Sequence, residues 1–183
     1  MTRIERKRRN PHLMCAMIDT ESSEVMKEIR RMAGEAASAA DLQRRMVDFL
    51  HNRFPDYNWV GFYMLDPNDP AMLVLGPYAG APTPHTRIPI TQGICGAAVA
   101  QRGTVVVDDV SSDPRYLSCS IETKSEIVVP IYADAKIVGE IDIDSHRHGA
   151  FGSDDRIFLE DCAELVGRFI ERRAKDGVPE TAA

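Results

Sequence analysis

No two cysteines of this chain stand at CxxC spacing, and the four it has (Cys15, Cys95, Cys119 and Cys162) form no disulfide framework. With no export signal beside them, they read as thiols of a reducing compartment, and a cytoplasmic location is expected. Long apolar runs are also missing, which excludes a transmembrane helix, and there is no internal repeat or low-complexity tract. A basic excess is lacking too. The formal net charge of −6 argues against nucleic acid as the main partner, because phosphate binding wants a basic face. The start, MTRIERKRRN followed by LMCAMI, imitates a signal peptide, but its apolar run is short, ends at Asp19 and has no small-residue cleavage site.

What is present suits one soluble domain with a proper core: 183 residues, 44% hydrophobic and 27% charged. The expected limits are a basic, mobile arm over 1–19, a single domain over 20–177 and a disordered tail over 178–183. Val25, Met26, Ile29 and Met32 lie at helical spacing, with Ser22 or Ser23 as N-cap. A second helix opens on Ser38 and Asp41 in capping-box positions and ends before Pro55. Asn58 to Leu65 reads as a strand with Trp59, Gly61 and Tyr63 on one face and Val60, Phe62 and Met64 on the other. A further strand, MLVLGPY, leads into a long proline-rich loop of the kind that binds or covers ligands. Next come a short helix with Cys95 in its first turn and a strand over Thr104 to Val110. A last helix, capped by Ser153, carries Phe158, Cys162, Leu165 and Phe169 on one stripe, where Cys162 is a small core residue. The order predicts an α+β fold, an antiparallel sheet with the N- and C-terminal helices packed on one face.

The stretch CSIETKSEIVVPIYADAKIVGEIDIDS, from Cys119 to Ser145, carries the chemistry. It reads as a polar loop and a β-hairpin. Alternation puts Ile137, Gly139, Ile141 and Ile143 on one face and Glu140, Asp142 and Asp144 on the other. Acids along one strand face are ordinarily solvated. A three-residue hairpin loop, however, pairs Ala133 with Ile137 and sets Glu126 across from Asp144. An even loop would turn Glu126 to the isoleucine face, where an unpaired carboxylate is costly. Carboxylates gathered this way repel unless a cation joins them, and a ligand ammonium is one candidate. A metal set of Asp142, Asp144, His146 and His148 competes with a solvated HRHG turn, and the turn is preferred, so no metal and no cofactor are expected.

The element order, with NWVGFY, LVLGPY, IPITQGICG, SEIVVP and GEIDIDS, resembles the free methionine-(R)-sulfoxide reductases, which are GAF-domain proteins. The resemblance covers about Asn58 to Phe151 continuously. It implies reduction of free methionine-(R)-sulfoxide through a cysteine sulfenic acid and a disulfide that a thioredoxin-type reductant reopens. By matching position it implies Cys119 as the attacking thiol and Cys95 as a second redox cysteine. Glu126, Asp142 and Asp144 become the grip on the substrate ammonium, and Trp59 and Tyr63 part of the wall around its methyl group. It also points to a homodimer, which the terminal helix stripes would suit. The family's third cysteine falls in the loop before IPITQG, where this chain has PTPHTRIP, with Pro84 and His85 near that place. Cys95–Cys119 is then the best disulfide on offer, with Cys15 as the outside candidate, and the helix dipole should favour a Cys95 thiolate. The rival reading is a non-catalytic GAF sensor for a small amino-acid-like ligand.

Overall fold

The structure, a computed structural model, describes residues 11–118 and 120–177. Cys119, the basic residues 1–10 and the tail 178–183 lie outside the described residues. Helices α1 (Pro11–Glu35) and α2 (Ala39–Arg53) precede the strand pair β1 (Trp59–Asp66) and β2 (Asp69–Ala79). Then follow β3 (Arg87–Pro89), α3 (Gly93–Gln101), β4 (Val105–Val107), β5 (Ser125–Ala133), β6 (Lys136–Ser145) and α4 (Ser153–Lys175). The six strands form one antiparallel sheet in the order β3-β2-β1-β6-β5-β4.

Strand alternation divides the core in two. Val60, Phe62, Ile127, Val129, Ile131, Ile141 and Ile143 meet α1, α2 and α4 on one face. On the other, Trp59, Tyr63, Leu73, Val105, Val107 and Val128 pack with Ile94, Cys95 and Ala98 of α3. Fully burying each of these aliphatic or aromatic side chains contributes roughly 1.5–3 kcal/mol, so both faces of the sheet are held. The acids belong to the α3 face.

Local chemistry sets the element ends. Ser38 Oγ accepts from Asp41 N at 3.1 Å, as expected of the N-cap, but Asp41 Oδ2 accepts from Ala37 N at 2.9 Å instead of the Ser38 N–H that a full capping box would engage. Three expectations need correction. Helix α1 starts at Pro11, so positions 22 and 23 lie inside it and not at its N-cap. The N-cap of α4 is Gly152, one residue before Ser153, and Asp155 Oδ2 accepts from its N–H at 2.9 Å. The strand expected over Thr104 to Val110 is only Val105–Val107, because Asp109 takes the Ser111 N–H and turns Val110–Ser112 into a 3₁₀ helix.

The β5–β6 hairpin has the expected register for another reason. Its loop is two residues, Asp134 and Ala135, both at positive φ (46° and 60°), and Ala133 pairs with Lys136. Left alone, that even loop would have aimed Glu126 at the apolar face. An extra residue, Val138, bulges between the pairs Tyr132↔Ile137 and Ile131↔Gly139 and shifts the ladder by one. Glu126 therefore pairs with Asp144. The bulge also makes Val138, in place of the expected Ile137, the residue that packs against the helix-side core. Pro130 is tolerated in β5 because β4 pairs only as far as Val128, leaving no ladder there for it to break.

Candidate active site

The central strands bring the predicted residues together by register. Trp59 faces Asp144, Gly61 faces Asp142 and Tyr63 faces Glu140 across β1 and β6. On the other side of β6, Glu126 pairs with Asp144 and Val128 with Asp142. All four carboxylates are buried, Glu140 at 0% exposure and Glu126, Asp142 and Asp144 at 4–5%. The solvated-face reading is thereby excluded. Among the described residues no lysine or arginine forms an ion pair with any of the four.

Burial dominates their chemistry. It pushes the Glu126, Glu140 and Asp144 carboxyls well above the usual range, with mutual repulsion adding to it, while the Cys95 thiol partly restrains Glu140 and a hydrogen bond from Thr123 partly restrains Asp144. Burial raises Asp142 to about 7, against a Cys95 hydrogen bond that lowers it. Neither Glu140 oxygen has a hydrogen-bond partner, and nor has Asp142 Oδ1. A desolvated acidic cluster short of donors is poised to accept a cationic ligand.

Asp144 lines a cavity of about 60 Å³ together with Trp59, Ala81, Ser120, Thr123 and His146. The Trp59 ring lies directly over Gly61, where a Cβ would come within 2.3 Å of it, so glycine is what lets the indole fold across the strand. Trp59 Nε1 donates to the Ala81 carbonyl at 3.0 Å, which ties the proline-rich loop over the site. Tyr63 is fully buried and stacks on Trp59 with ring centroids 6.2 Å apart. Its hydroxyl donates to the His85 carbonyl at 2.6 Å, so it anchors the same loop from behind the tryptophan. A larger open groove of about 540 Å³ lies between α1 and α4, lined by Met26, Glu164 and Arg168 among others. It is on the helical face and contains none of the buried acids.

Cys95, in the first turn of α3, donates its thiol to Asp142 Oδ2 at 3.7 Å. The expectation that the helix dipole would favour its thiolate is not met. Complete burial, and then the charges of Glu140, Asp142 and Glu126, push the thiol well above its ordinary range. Cys162 is buried in the helix-side core against Met26, as expected of a packing residue.

The same architecture recurs in known proteins. The GAF domain family matches residues 19–170. The free methionine-R-sulfoxide reductase of Escherichia coli is 38% identical over 124 residues, covering 68% of this chain and 72% of the relative. The solved free methionine-R-sulfoxide reductase of Neisseria meningitidis, in complex with its substrate, superposes with a TM-score of 0.78 at 30% identity, covering 95% of this chain and 99% of that one. The type II enzyme of Thermoplasma acidophilum superposes with a TM-score of 0.69 at 36% identity over 73% of this chain and 93% of that one. The chain belongs to the GAF-domain family of free methionine-R-sulfoxide reductases.

The proline-rich loop, where the resemblance led one to expect a further cysteine and the chain has His85, is tied to the site. His85 Nε2 lies 3.2 Å from the Ser118 carbonyl, so the loop before IPITQG is joined to the residue preceding Cys119. After Cys119, the Ser120 carbonyl accepts from Tyr116 Oη at 3.4 Å. The alternative metal set does not assemble: His146 faces Glu122 at 3.8 Å and His148 faces Asp109 at 3.7 Å, both exposed. The atoms that do converge are those of Cys95, Glu126 and Asp142, all within 4.8 Å of one another. Sequence reasoning placed Glu140 on the acid face but gave it no place in the site, and the signal for its burial was the aromatic strand beside it. The contributions of Gly61 and Thr123 had no signal in the sequence, since both depend on contacts across the sheet.

Proposed function

We propose that the chain reduces free L-methionine-(R)-sulfoxide to methionine, with Cys119 as nucleophile and Cys95 as the resolving thiol. The supporting observation is the buried set Glu126, Asp142 and Asp144, without a cationic partner among the described residues, beside a cavity that Trp59 and Asp144 line. A free amino acid brings an ammonium to such a site, whereas methionine within a peptide brings a neutral amide and leaves the carboxylates unmet. Trp59, backed by Tyr63, supplies the aromatic surface for the S-methyl group, a contact worth roughly 0.3–1.5 kcal/mol. The cavity, about 60 Å³, is well short of the volume of an amino acid such as methionine sulfoxide. Entry of the substrate therefore requires the loops around Ala81 and Ser120 to part.

The Cys119 thiolate attacks the sulfoxide sulfur, and the sulfoxide oxygen takes a proton from one of the buried carboxyls. The S–O bond passes its oxygen to Cys119, methionine leaves, and Cys119 is a sulfenic acid. The Cys95 thiol then gives its proton to Asp142, its sulfur attacks the sulfenic sulfur, and Asp142 passes that proton to the departing hydroxyl, which leaves as water. Asp142, at about 7, is matched to a proton transfer near neutral pH. A thioredoxin-type dithiol returns two electrons to the Cys95–Cys119 disulfide. Pairing of two copies through the terminal helices, and a cytoplasmic setting, belong to the same reading.

Cysteine replacement with racemic free substrate tests it. The unaltered chain consumes the R epimer and leaves the S epimer. Cys119→Ser abolishes reduction. Cys95→Ser releases about one methionine per chain and then stalls when thioredoxin is the only reductant. Oxidation of no thiol by the R epimer would leave the sensor reading in its place.

A further inference from the structure

We propose that Cys95, Glu126 and Asp142 form a binding site for a thiophilic divalent cation of the zinc type, on the sheet face where the acids meet. Three observations carry it. One ligand atom from each residue lies within 4.8 Å of the other two. The Cys95 Sγ to Asp142 Oδ2 distance is 3.7 Å. Around tetrahedral zinc, bonds of about 2.3 Å to sulfur and about 2.1 Å to oxygen set that edge at roughly 3.6 Å. That edge is already built, and a Glu126 oxygen lies within 4.8 Å of the Cys95 sulfur and of an Asp142 oxygen.

The second observation is an unsatisfied atom. Asp142 is 4% exposed and its Oδ1 has no hydrogen-bond partner, and Glu140, next along the same face of β6, has neither oxygen partnered. Among the described residues no cation touches these carboxylates, and the charge of Arg115 reaches Glu126 only at longer range. The third is rigidity: Glu126 and Asp142 stand on neighbouring strands, and Cys95 is in the first turn of α3 packed against them. Ligands held on regular elements keep their geometry better than ligands on loops.

The donor set selects the ion. A thiolate with two carboxylates suits zinc or cobalt, whereas magnesium and calcium prefer an all-oxygen shell. On binding, the Cys95 S–H bond breaks and the Glu126 and Asp142 carboxyls give up the protons that burial lets them keep, all to solvent, and bonds to the metal replace them. The three ligands then carry −3 against +2 and leave a fourth position for water. If the ammonium reading of Glu126 and Asp142 is right, metal and substrate compete, and bound metal also withholds Cys95 from resolution.

The test is a cobalt(II) titration of the reduced, metal-free chain followed by absorbance. The expected result is one equivalent bound, with a thiolate-to-cobalt charge-transfer band and the intense visible bands of a tetrahedral ion, both erased by zinc. Cys95→Ser should lose the charge-transfer band, and Asp142→Asn should weaken binding by more than the ~10–100-fold that even outer-sphere partners cost. Cys119→Ser should leave the spectrum unchanged. No band in the unaltered chain overturns the site, as does a band that survives Cys95→Ser or vanishes in Cys119→Ser. Displacement of cobalt by free methionine sulfoxide supports the overlap. A cobalt spectrum as described that the sulfoxide cannot displace keeps the metal site and removes the ammonium reading.

Discussion

Asp142 is where stability and function pull in opposite directions. Its folded-state carboxyl is raised from 3.8 to about 7 by burial, and Glu126, Glu140 and Asp144 are raised as well. A carboxyl raised on folding binds its proton more tightly in the native state. The stability these four groups contribute is therefore full below about pH 4 and is lost as pH rises through their folded values. Between about pH 4 and pH 7 the unliganded chain should lose stability on the order of a few kcal/mol in urea titrations, and Asp142→Asn should flatten that slope. Retention of an ammonium should strengthen over the same interval, because the ionised carboxyls are the ones that attract it. A second residue-scale outcome concerns Gly61. A Cβ there meets the Trp59 ring at 2.3 Å, so Gly61→Ala must displace the indole, at a cost of roughly 1–3 kcal/mol. Trp59 is the only tryptophan, so its fluorescence reports the displacement directly, and an unchanged spectrum would contradict the packing described.

At the scale of elements, helix α4 lies so close on β5 that the contact permits only glycine. A Cβ on Gly167 would stand 1.9 Å from the Tyr132 carbonyl oxygen, a backbone atom that cannot swing aside. Gly167→Ala should cost about 3 kcal/mol or more, read as a lowered urea midpoint. The hairpin makes the opposite prediction. Ala135 sits at φ 60°, so Ala135→Gly should stabilise by about 1 kcal/mol, and a lowered midpoint would contradict the turn. This hairpin also shows what a sequence can and cannot disclose. The alternation of GEIDIDS reveals which residues share a face. The loop length and the bulge at Val138 are two compensating choices, and only their sum is visible in the resulting register. Likewise the Ser38 N-cap was legible because it is local, whereas the burial of Cys95 depends on α3 closing over strands far along the chain.

For the whole molecule, the two-faced sheet separates stability from chemistry. One side carries a large apolar core under α1, α2 and α4, and the other carries the acids under α3 and the tied loops. The order of elements and the acid face were readable because periodicity survives in sequence. The clamp of His85 on Ser118 was not, because it joins two loops that have no periodic pattern. In the proposed function the buried carboxylates meet the ammonium of a free amino acid, and kcat/KM for free against N-acetylated methionine-(R)-sulfoxide measures that preference directly. A charge-assisted contact worth roughly 1.5–3 kcal/mol predicts a preference of about tenfold to hundredfold for the free form. Equal kcat/KM for the two substrates would contradict it.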